Sequence, residues 1–115
     1  VYIAHSLASG ECVAAKMTKL VDGGGNESAR GYNSYRNEMA MLRAVQGHTN
    51  VIRLHDAMNT RGYGCLFLGL AEHGSMSDYI ESHGPLREEV AMPLFRQLLE
   101  AIQVSSSINV MKTQY

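Results

Sequence analysis

Val13-Ala14-Ala15-Lys16 places a lysine at the end of an apolar strand, where its ammonium needs a carboxylate partner. The well-placed acid is Glu38, in the segment Tyr35 to Val45. Glu38, Met41, Leu42 and Val45 fall at i, i+3, i+4 and i+7, so they share one helical face. An unpaired carboxylate in an apolar stripe costs several kcal/mol when buried. That face must therefore meet a cation or leave Glu38 at a wet margin, and Lys16 is the expected cation. In isolation, a lysine and a glutamate at this separation would form a structural or solvated pair. Any chemistry depends on what surrounds them.

The other residues able to do chemistry form no comparable constellation. Gly23-Gly24-Gly25 suggests a phosphate cradle, but it lacks the defined glycine spacing and the Lys-Ser/Thr that such a loop needs before a helix. Residues 22–31 are accordingly expected to be a mobile surface loop. His5, His48, His55, His73 and His83 show no i, i+4 pairing and no cysteine array suited to zinc. They read as surface or turn residues.

With 115 residues, 45% hydrophobic and 18% charged, there is material for one domain with one ordinary core. Ten basic against eleven acidic residues, with no Lys/Arg run, argue against nucleic acid and against an anionic membrane surface. No apolar run approaches the ~20 residues of a membrane-spanning helix. Cys12 and Cys65 are far apart without C-x-x-C spacing, and no signal-like pattern opens the sequence. Together these predict a reducing, cytoplasmic (intracellular) setting.

The supporting elements follow from period and turn chemistry. Val1–His5 and Cys12–Met17, joined through Ser9-Gly10-Glu11, predict a hairpin. Because Val1 would already lie within a strand, the chain reads as cut at its start. A helix is expected over 34–46, capped by Asn33 or Ser34, with Gly47 as its left-handed C-terminal residue. Runs at 51–58 and 65–68, around a turn at 59–62, predict a second hairpin. An irregular linker over 69–74 then leads to a short helix at 75–81. Beyond His83-Gly84-Pro85 a long helix is expected over 87–103, with Leu94, Phe95, Leu98, Leu99 and Ile102 as its stripe. Pro93 within it predicts a kink or a late start. Met39, Met41, Met58 and Met92 read as core filling. The fold class is α+β, an antiparallel sheet of about four strands with one helix packed on it.

In this order the segments resemble the protein kinase family over nearly the whole chain. Val13-Ala14-Ala15-Lys16 resembles its V-A-x-K strand, and Val1-x-x-Ala4 the strand after its glycine-rich loop. The helix carrying Glu38 resembles its αC helix, and His48-Thr49-Asn50-Val51-Ile52 the turn that leaves it. Gly74 to Ile80 resembles the stretch that opens the helix beyond the hinge. The resemblance implies a kinase N-lobe over 1–68, a hinge over 69–74, and the start of a helical C-lobe over 75–115.

The family's chemistry carries over residue by residue. Lys16 would contact the α- and β-phosphates of ATP, with Glu38 holding its ammonium in place. Leu68 would be the gatekeeper, and the backbone of Gly69, Leu70 and Ala71 the hinge that bonds adenine. Val1, Ala14 and Met76 would sandwich the ring, while Leu42 and Leu54 resemble members of the apolar column linking the lobes. Gly69 departs from the family, where an acidic residue is common.

The larger departures concern catalysis. The glycine-rich loop should precede Val1, and Lys112-Thr113-Gln114 stands where His-Arg-Asp would be. The catalytic aspartate therefore falls at Gln114, whose amide has no useful basicity. Neither the magnesium-binding Asn nor Asp-Phe-Gly follows, so Mg is implied by the family without ligands in this sequence. The resemblance predicts a fragment of an ATP-binding Ser/Thr kinase domain, truncated at both ends and inactive alone, with a protein substrate or regulatory protein as partner. The alternative is a kinase-like module that binds or regulates without chemistry. A third possibility, an unrelated small α+β domain, requires Lys16 and Glu38 to lie far apart.

Overall fold

The computed structural model of the chain describes residues 1–113, and side chains through residue 106. Its elements run β1 (Tyr2–His5), β2 (Cys12–Lys19), α1 (Ala29–Ala44), β3 (Leu54–Thr60), β4 (Tyr63–Gly69), α2 (Met76–His83) and α3 (Glu88–Thr113). The chain divides into two compact units. The first comprises residues 1–47 and 52–70, and the second comprises 48–51 together with the chain from Ala71 onward.

The first unit is a four-stranded antiparallel sheet, ordered β1-β2-β4-β3, with α1 against it, the α+β arrangement expected. β2 pairs with β4 so that Ala14 faces Leu68 and Lys16 faces Leu66. With side chains alternating across a strand, Ala14, Lys16, Leu66 and Leu68 share one face, and this is the face α1 covers. Leu20, Tyr35 and Leu66 form the buried centre, flanked by Met39, Leu42, Leu54, Ala57 and Leu68. Gly64 belongs to this packing, since a Cβ there would stand 2.6 Å from the Tyr35 ring. Burial pushes the Tyr35 phenol up from its ordinary value, with Cys65 and Asp56 adding to the shift and Arg43 opposing it. The phenol therefore stays protonated and donates to the carbonyls of Met58 and Cys65 at long range, 3.4 Å each.

Several boundaries differ from those expected, for local reasons. α1 begins at Ala29, five residues before the expected Ser34, because Ser28 caps it by accepting from the Gly31 amide at 3.1 Å. The last three residues of the expected loop at 22–31 are thus helical, and the rest is a tight turn. A bridge joins Val21 to Glu27, and the Asp22 carboxylate accepts from the Gly24 and Asn26 amides. The second hairpin turns at Arg61-Gly62, both left-handed at φ 47° and 78°, so its strands run over 54–60 and 63–69. Gly47 is left-handed past the end of α1 as expected, at φ 93°.

In the second unit, Ser75 caps α2 in a reciprocal box with Asp78. α3 starts at Glu88 and carries Pro93 in its interior, so the late start expected from Pro93 does not occur. Of the methionines expected to fill a core, Met39 does so, whereas Met58 and Met92 are about half exposed.

Candidate functional site

The Lys16 Nζ donates to Glu38 Oε1 at 2.6 Å, the one ion pair among the described residues. Glu38 is delivered by α1, where it sits one turn from Tyr35 and Leu42, both on the face packed against the sheet. The pair lies at the margin of that packing rather than inside it, with side chains 44% and 32% exposed. Both alternatives for Glu38 are therefore realised together, a cation partner and a wet edge. The lysine side chain thus keeps open surface beside its acid.

The residues expected around this pair fall into separate groups. Ala14 and Leu68 are partly buried cross-strand partners on the face that also carries Lys16. Gly69 closes β4, and its amide donates to the Arg53 carbonyl at 2.8 Å; Leu70 follows, partly buried. Val1 precedes β1 and is 84% exposed. Ala71 and Met76 lie in the second unit, Met76 as the first residue of α2 and both exposed. Gln114 lies outside the described residues.

Two contributors were not foreseen from the sequence. Tyr35 anchors α1 at the centre of the core, and its position three residues before Glu38 on the same stripe is the signal that could have found it. Gln46 clamps the end of that helix, its Nε2 donating to the carbonyls of Leu42 and Ile52 at 2.9 and 3.1 Å. Its Oε1 accepts from the Leu54 amide at 2.9 Å. One side chain thus ties the last turn of α1 to the start of β3 and fixes where Glu38 stands along the sheet. Within the second unit, the His48-Thr49-Asn50 turn is held by the Asn50 amide donating to His48 Nδ1 at 3.1 Å, and Asn50 Nδ2 reaches Glu100 at 3.0 Å.

Comparison with known proteins identifies the family. The profile of the protein kinase domain matches residues 1–112, so the chain belongs to the protein kinase family. CBL-interacting protein kinase 20 of Oryza sativa subsp. japonica is 33% identical over 114 residues, covering 96% of this chain and 24% of that protein. The SNF-related serine/threonine-protein kinase of Rattus norvegicus is 32% identical over 114 residues, covering 96% of this chain and 14% of that protein. Testis-specific serine/threonine-protein kinase 3 of Homo sapiens is 37% identical over 67 residues, covering 57% of this chain and 25% of that protein. The chain therefore spans a quarter or less of the length of each of these relatives.

Proposed function

We propose that this chain is the nucleotide-binding portion of a serine/threonine protein kinase domain, in which Lys16, oriented by Glu38, holds the α- and β-phosphates of ATP. The observation that carries this is the 2.6 Å contact between a partly exposed ammonium and its acid, on the same sheet face as Ala14 and Leu68. Such a face suits ATP. A point charge meets the phosphates, and small or aliphatic side chains lie alongside for the base. The backbone of Gly69 and Leu70, followed by Ala71, is the hinge in this reading, and Val1, Ala14 and Met76 are the apolar residues that family membership assigns to the adenine ring.

Lys16 supplies no covalent chemistry. It neutralises phosphate charge and sets the chain of phosphates in one position, while Glu38 restricts the lysine to the rotamer that does so. Magnesium is implied with ATP by the family; among the described residues no group of three or more His, Cys, Asp or Glu is placed to hold a metal ion. With Gln114 at the position of the proton-accepting aspartate, the chain as it stands binds nucleotide without transferring phosphate. That same residue supports a second reading, a kinase-like module that regulates a protein partner inside the cell. The relatives named as interacting with CBL are compatible with a protein partner for either.

Binding of a fluorescent ATP analogue tests the proposal. Lys16→Ala is expected to weaken binding by about tenfold or more, and equal affinity for both proteins would overturn it. Radiolabelled phosphate transfer above background by the purified chain would refute the inactivity. A full-length transcript restoring a catalytic Asp and a downstream Asp-Phe-Gly would favour an enzyme over the module.

A further inference from the structure

The sheet face opposite Lys16 carries a cavity of about 590 Å³ with no assigned role. Its floor is apolar, made by Ala4, Val13 and Phe67, which the strand register places on the face away from α1. One wall is the β1–β2 turn, closed by the Ser6 amide donating to the Glu11 carbonyl at 2.8 Å and the Gly10 amide donating to the Ser6 carbonyl at 2.7 Å. Leu7 stands fully exposed on that turn, and Met58, 48% exposed, stands on the other side.

The charge on this cavity is one-sided. Glu11 and Asp56 both line it, and no lysine or arginine does. Neither acid is in an ion pair, since the pair among the described residues joins Lys16 to Glu38 on the opposite face. Asp56 only accepts from the neighbouring Ala57 amide, at 2.8 Å. Its two histidines, His5 and His55, complete the lining, and His5 Nδ1 is engaged by Cys12 Sγ at 3.2 Å.

We propose that this outer face docks a short basic peptide segment of a partner protein, an aliphatic or aromatic side chain seated over Val13 and Phe67 and a flanking arginine or lysine met by Glu11 and Asp56. Charge complementarity decides the occupant. An apolar floor alone would accept any greasy segment, whereas two unpaired carboxylates at its edge reject an acidic one and retain a basic one. The volume, about 590 Å³, holds a few side chains. The site does not depend on nucleotide, being on the other face of the sheet from Lys16.

The test uses the whole chain and two capped, fluorescein-labelled pentapeptides, Leu-Arg-Phe-Arg-Leu and Leu-Glu-Phe-Glu-Leu, titrated up to about 1 mM by fluorescence polarisation. The arginine peptide is expected to bind and the glutamate peptide not. Glu11→Gln and Asp56→Asn, both exposed positions, are each expected to weaken binding about threefold. Met58→Trp would place the chain's sole indole at the cavity wall, and its emission is expected to shift as the arginine peptide enters. Equal binding of the two peptides, undiminished binding by the double Glu11→Gln/Asp56→Asn variant, a silent indole, or no binding at all would each overturn the proposal.

Discussion

Lys16 and Glu38 are both partly exposed, so their contact contributes little to folding even at 2.6 Å. A pair in that setting is worth under about 1 kcal/mol. Glu38→Gln should therefore barely move the thermal midpoint while weakening ATP-analogue binding severalfold, which calorimetry and a binding titration on the same sample separate. A drop in stability as large as the drop in binding would make the pair structural. The lysine and its acid were legible in the sequence because each carries a signature in its own segment, an apolar strand ending in Lys and an amphipathic helix interrupted by Glu. Gln46 was not, because an amide clamp depends on where Ile52 and Leu54 return in space, and nothing local marks it. Tyr35 lies one turn before Glu38 on the same stripe and is the buried residue of α1, yet a tyrosine at a helical position carries no mark of its own that separates a core anchor from a surface residue.

At the level of elements, order and type were legible throughout and the boundaries were not. Hydrophobic period locates the middle of a helix or strand, but ends are set by single side chains. Ser28 extends α1 to Ala29, and Arg61-Gly62 moves the hairpin turn. Two consequences can be measured. Gly64→Ala forces a Cβ against the Tyr35 ring and should cost about 1–3 kcal/mol in denaturant unfolding, while Leu66→Ala, emptying a fully buried site, should cost about 2–5 kcal/mol. The cap of α2 has a pH dependence of definite sign. Bonds from the Ser75 side chain and then its backbone hold the Asp78 carboxyl below its ordinary value. Stability from this box is thus complete above the unfolded carboxylate range and lost as pH falls through the lower folded value. Protection factors of the Ser75 and Asp78 amides, corrected for the intrinsic rate, should fall in acid more than those of the rest of α2, and Asp78→Asn should remove the dependence.

At the scale of the molecule, α3 carries an apolar stripe without full cover. Phe95, Leu98, Leu99 and Ile102 are between 43% and 56% exposed along one helix. The sequence already marked this stripe as apolar, and the structure gives it no full cover. Contiguous apolar surface of this kind drives association, so the isolated chain should elute as concentration-dependent oligomers in light-scattering chromatography, and a monodisperse, cooperatively melting monomer would contradict that. The tetrapeptide 48–51 bears on where the protein divides. It groups with the second unit, although the residues on both sides of it belong to the first. Gene fragments divided at residue 70 would therefore separate Asn50 from its acceptor Glu100 and leave each half with an orphaned partner.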